Sequence, residues 1–131
     1  MIGLDTNVLV RFLIQDDPEQ GRAATALIET CREDDPGFIA REVIVELVWV
    51  LERGYKLSKD TIAAALDGLL GAAELIVEDS DRVARAVSAY KGDGFGFADV
   101  LIISAALGAG CTTTYTFDRK AAQMAGATAV P

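Results

Sequence analysis

The chain opens on a short apolar run, Ile2–Asp5, that feeds directly into a stretch of helical spacing from Asn7 to Ile14. The run is too short for a helix and predicts a strand. Asp16-Asp17-Pro18 opens a second helix, in which Asp17 can cap, Pro18 suits the first turn and Gln20 can reach back. Ala23, Ala24, Leu27, Ile28 and Cys31 then recur at i, i+3/i+4 spacing until the break at Asp34-Asp35-Pro36-Gly37. Phe38–Ala40 predicts a short strand, and Arg41 to Arg53 a strongly apolar helix stopped by Gly54. Ser58 caps the next helix, Lys59 to Leu70, which stops at Gly71. Glu74–Glu78 predicts a strand, and Asp79 or Ser80 starts a helix reaching about Lys91. Beyond a glycine-rich loop over 92–96, a helix from about Phe97 to Ala109 has no charge after Asp99, which predicts burial on most of its sides. Thr112–Thr116 is β-branched and predicts a strand, Asp118 starts a short helix, and Thr128–Val130 is the last strand candidate.

Short strands alternating with helices predict an α/β fold with a mainly parallel sheet covered on both faces. There is no repeat, low-complexity tract or linker, and 131 residues suit one domain spanning 1–131.

Composition narrows the chemistry. A hydrophobic content of 51% excludes a disordered chain. The net charge is −8, so a polyanionic ligand would need cations or a partner to supply positive charge. The chain has no histidine, and its two cysteines, Cys31 and Cys111, stand far apart. That excludes a sulfur-and-imidazole zinc site and any His-dependent triad. Thiols this sparse fit a reducing cytosol, where both stay free. The start lacks the basic segment of a signal peptide. Val100 to Phe117 is uncharged, but its second half is turn and strand chemistry, so no membrane span and a cytoplasmic protein are expected.

Four acids stand out. Asp5 ends the first strand, Asp118 follows the strand at Thr112–Thr116, Asp99 begins the uncharged helix, and Glu46 lies inside the apolar one. Ligands of open α/β sheets bind at the carboxyl ends of strands and at helix starts. Asp5, Asp99 and Asp118 also have a plainer reading as helix N-caps. Glu46 has Glu42, Val43, Trp49 and Val50 at i±3 and i±4, with no Lys or Arg among them. It therefore lies at the edge of the core, pairs with a distant cation, or binds a metal. Oxygen-only ligands suit Mg²⁺ or Mn²⁺, and such ions activate water for phosphodiester hydrolysis without histidine.

In these residues the sequence resembles the PIN-domain ribonucleases, and among them the VapC-type toxins of prokaryotic toxin–antitoxin pairs. Ile2-Gly3-Leu4-Asp5-Thr6-Asn7 resembles the first motif of the family, and Glu46 in Ile44-Val45-Glu46-Leu47 its mid-chain acid. Phe97-Ala98-Asp99-Val100-Leu101-Ile102 resembles the third motif and Thr116-Phe117-Asp118 the fourth. The resemblance implies a three-layer α/β/α sandwich and Mg²⁺- or Mn²⁺-dependent endoribonuclease activity. It also implies a homodimer and a small cognate antitoxin, whose inhibitory segment the acidic site and the net charge of −8 predict to be basic. Asp5 and Asp99 are the firmest implied metal ligands, and Glu46 and Asp118 complete the acidic site. One departure concerns a further Asp that many members carry three residues before the third acid. Gly96 stands there, with Asp93 nearby in the glycine-rich loop.

Supporting roles have plainer alternatives. Asn7 can hydrogen-bond Asp5 or cap the first helix, and Thr116 can orient a ligand or simply fill its strand. Arg11, Arg41, Arg119 and Lys120 are candidates for RNA phosphate contact, with plain exposure the simpler reading for Arg11. Trp49, Leu47 and Val50 read as core or dimer surface. A haloacid-dehalogenase-type phosphotransfer enzyme expects a second Asp two residues after Asp5, where Asn7 stands. The remaining alternative is a non-catalytic PIN-like binding module.

Overall fold

In the computed structural model, which describes residues 1–131, six α-helices and five short strands alternate along the chain. Residues 1–81 and 82–131 form two compact units.

The first unit runs β1 (Ile2–Gly3), α1 (Thr6–Leu13), α2 (Pro18–Glu29), β2 (Gly37–Ile39), α3 (Arg41–Arg53), α4 (Lys59–Gly71) and β3 (Leu75–Val77). Its strands pair in parallel in the order β1-β2-β3, with Gly3 opposite Phe38 and Phe38 opposite Ile76. Parallel pairing follows from the connections, since each strand is joined to the next through helices. The helix starts are written in the sequence. The Asp5 carboxylate accepts from the Thr6 N–H at 2.6 Å, Asp17 from the Gln20 N–H at 3.0 Å, and the Ser58 hydroxyl from the Thr61 N–H at 3.2 Å. Leu9, Ile39, Ile44, Leu47, Leu51, Ile62 and Leu66 are fully buried between these elements. Each contributes roughly 1.5–3 kcal/mol by leaving water.

The second unit holds α5 (Ser80–Gly92) from Arg82 onward, α6 (Phe97–Gly108), β4 (Thr114–Thr116), a 3₁₀ turn over Ala121–Gln123 and β5 (Ala127–Ala129). β4 and β5 pair in parallel, with Tyr115 opposite Thr128. Val83, Val87, Tyr90, Phe97 and Leu101 form its buried core, and the rings of Tyr90 and Phe97 meet edge to face at 6.0 Å. Both thiols are free, and no helix is long and apolar enough to cross a membrane.

The fold class is as expected, α/β with short parallel strands, and three local expectations need correction. The first strand stops at Gly3, because Asp5 is already committed to capping α1. α6 is not buried on most sides. It buries Phe97, Leu101 and Ile103, whereas Ile102 is 57% exposed and Leu107 is also exposed. An uncharged sequence is a sequence without a polar face, and it can leave apolar side chains in solvent. Finally, Gln20 does not reach back along its own helix; its side-chain oxygen accepts from the Arg11 Nε at 2.7 Å.

Candidate active site

Within the first unit, the two acids singled out sit in different settings. Asp5 follows β1 at the entrance to α1, exposed, with one carboxylate oxygen held by the Thr6 N–H. The other oxygen accepts no hydrogen bond. Thr6 beside it is 3% exposed, and its hydroxyl has no hydrogen-bond partner. A buried hydroxyl without a partner is costly, and here it leaves unused polar capacity directly beside the acid. Asn7 is exposed and lines a groove of about 270 Å³ between α1 and α2, together with Val8, Ala23 and Leu27.

Glu46 is a different case. The buried face of α3 is Ile44, Leu47, Val48 and Leu51. Glu42, Glu46, Trp49 and Arg53 lie on the opposite, exposed stripe, with Trp49 60% exposed. Glu46 is thus in solvent rather than at a core edge, and it makes no ion pair. Of the apolar residues beside it, Leu47 is core and Trp49 is surface.

Within the second unit, Asp99 is half-buried in the first turn of α6. Its Oδ2 occupies the place beside Gly96, only 2.8 Å from where a Cβ at that position would stand. A side chain at 96 would have to push the Asp99 carboxylate aside, so the glycine lets that carboxylate fold back over the loop. Asp93 is exposed at the end of α5. Asp118 follows β4 in a tight turn: its N–H donates to Thr116 Oγ1 at 3.0 Å, and its Oδ1 accepts from the Ala121 N–H at 2.8 Å. Thr116 therefore orients Asp118 through its backbone. The Lys120 Nζ lies 3.7 Å from the Cβ position of Gly94, which links the turn after Asp118 to the loop before Asp99.

Two of the four proposed phosphate-contacting cations are already engaged. Arg11 bonds Gln20, Asp16 and the Tyr55 hydroxyl, and Tyr55 in turn donates to Asp16 at 3.0 Å. Arg11 is therefore half-buried in a network and not plainly exposed. Arg41 pairs with Glu78 and Asp79. Arg119 and Lys120 are exposed and make no ion pair.

Sequence reasoning missed Glu78. The N-cap of α3 is Ala40, whose side chain has no acceptor; the Arg41 N–H instead donates to Glu78 Oε1 at 3.0 Å. The missing cap at Ala40 was the available signal, but nothing local says which distant carboxylate replaces it.

All candidate ligands are carboxylates, a donor set that suits a hard divalent cation and no soft one. No group of three or more His, Cys, Asp or Glu side chains positioned to hold a metal is formed. The chemistry of the donors fits such an ion.

The family model for the PIN domain matches residues 2–127. The VapC ribonuclease of Aquifex aeolicus (strain VF5) is 28% identical over 117 residues, which cover 89% of this chain and 87% of that protein.

Proposed function

The chain belongs to the PIN-domain family, and from that premise we propose that it is an Mg²⁺- or Mn²⁺-dependent endoribonuclease, the toxin of a toxin–antitoxin pair, built as one PIN domain over residues 1–131. The observation that carries this reading is the position of two motif acids just beyond parallel strands, Asp5 after β1 and Asp118 after β4. Those are the ends at which α/β folds bind ligands. The name of the Aquifex aeolicus relative supports the same activity.

Asp5, Glu46, Asp99 and Asp118 would supply the oxygen ligands of the ion. When bound, a divalent cation lowers the pKa of water and neutralises charge on the scissile phosphate. The residues themselves set the geometry. Asp5 and Asp118 each have one oxygen fixed by a backbone N–H and one available, so each presents a directed ligand. Asn7 and Thr116 support them, Thr116 by holding the Asp118 backbone. Clustered carboxylates repel one another unless a cation is present, so a site of this kind depends on its ion.

The inhibiting partner in this reading is a small antitoxin with a basic segment. The groove between α1 and α2 supports it, since that groove is lined mainly by apolar side chains and starts at Asn7, two residues from Asp5. A segment lying there can deliver an Arg or Lys to the acids. A homodimer accords with exposed Trp49, Ile102 and Leu107, apolar area that a second copy would cover.

The test is RNA cleavage with added Mg²⁺ or Mn²⁺. Asp5→Asn and Asp99→Asn should each abolish it, a loss of about a hundredfold or more, while circular dichroism stays native. Wild-type rates from either variant would overturn the reading. Co-expression with its small basic antitoxin should yield a stable, inactive complex.

A further inference from the structure

One end of the β4–β5 pair has a composition that the acids do not account for. Tyr115 stands at the middle of β4, and Phe117 follows the strand directly, in the bend that leads into the turn at Asp118. Parallel register puts Thr128 beside Tyr115, and the Val130 N–H donates to the Thr116 carbonyl at the end of the pair. The hydroxyls of Thr113 and Thr128 meet at 2.6 Å. Tyr115 is 63% exposed and Phe117 88% exposed, and Val130 is exposed as well.

Single exposed hydrophobics are ordinary, but two exposed aromatics two residues apart at the end of one strand, with an exposed valine after its partner strand, are a patch. The patch is also held in place. Thr116 Oγ1 accepts from the Asp118 N–H on one side of the turn, and Asp118 Oδ1 accepts from the Ala121 N–H on the other. Phe117 is therefore presented outward by a wound turn. Directly after it come Arg119 and Lys120, exposed and without ion pairs.

Charge identifies the occupant. Residues 82–131 carry five Lys and Arg against three Asp and Glu, a net +2 inside a chain of net −8. Aromatic rings flanked by cations suit single-stranded nucleic acid, whose bases stack on the rings while phosphates meet the basic side chains. A duplex keeps its bases stacked on one another and offers no such face. We propose that Phe117, assisted by Tyr115, is a base-stacking surface that holds single-stranded RNA beside Asp118, with Arg119 and Lys120 on the adjoining phosphates. The proposal rests on the ribonuclease reading for its choice of RNA.

The experiment is fluorescence anisotropy of the full chain with labelled oligouridine in EDTA, beside a duplex RNA of equal length. Phe117→Ala should weaken single-strand binding about tenfold, and Phe117→Trp should restore it. Duplex binding should not change. In the cleavage assay Phe117→Ala should raise KM by a similar factor. Unchanged oligouridine affinity in Phe117→Ala overturns the proposal. So does a shift in oligomeric state on size exclusion for that variant, which would make this face a contact between copies. If single strands bind through Phe117 but are never cleaved, the stacking surface stands and the ribonuclease reading falls. If cleavage occurs with an unchanged KM in Phe117→Ala, the reverse holds.

Discussion

The two units of the chain spend their charge differently. Residues 1–81 carry seventeen Asp and Glu against seven Lys and Arg, a net −10, whereas residues 82–131 are net +2. Much of the acidity of the first unit is structural. Asp5 and Asp17 cap helices, Asp16 holds Arg11 and Tyr55, and Glu78 and Asp79 clamp Arg41. The N-terminal amine hydrogen-bonds Asp35 and, with its charge, holds that carboxyl below its usual pKa. In the second unit Asp118 is a cap, and Asp99 folds over Gly96. A chain-wide −8 thus hides a locally positive segment that contains two of the four candidate ligands. Net charge argues about long-range attraction only when its distribution is known.

The largest test of this contrast is in the two cores. Leu47 is 0% exposed in the first unit and Leu101 is 8% exposed in the second. Leu47→Ala should cost about 3–5 kcal/mol in urea unfolding, and Leu101→Ala nearer 2–3 kcal/mol. Equal losses would mean that the cores are packed alike despite their different elements. A smaller effect is expected at Glu78. Replacing it with Ala removes both the cap on the Arg41 N–H and a half-exposed ion pair. The cap should be worth ~1 kcal/mol and the pair a few tenths after solvent screening. Glu78→Gln, which keeps an acceptor oxygen, should recover most of the loss. If Gln is as damaging as Ala, the ion pair and not the cap holds the start of α3.

What could be read from the sequence divides along the same line as these effects. The starts of α1, α2 and α4 were legible because Asp5, Asp17 and Ser58 cap within their own segments. The start of α3 was legible in position but not in cause, because its acceptor is Glu78, 37 residues away in sequence from Arg41. Arg11 illustrates the same limit, for its partner Tyr55 lies 44 residues on. The covered side of α6 is not legible, because a helix without a polar face carries no local mark of burial and only tertiary contacts decide which of its apolar side chains are covered. Of the site, the residue types and their order along the chain were readable. Which carboxylate oxygens are already used was not, since that depends on backbone N–H groups in turns that only the fold forms.

Glu46→Gln gives the smallest expected change in stability and separates two accounts of an acid on the exposed stripe of α3. The side chain is in solvent and unpaired, one turn from Glu42, a like charge at i−4. Neutralising it removes a mild repulsion within a unit of net −10, so folding stability should change by less than about 0.5 kcal/mol, upward if at all. Activity is the discriminating readout. As a metal ligand, Glu46 loses an anionic oxygen in the amide, and cleavage should fall while the melting temperature holds, with partial recovery at higher Mn²⁺. As a solvated surface acid, both should stay at wild-type values. The two results are distinguishable because exposure already removes the third possibility, a core carboxylate whose loss would register as a change in folding.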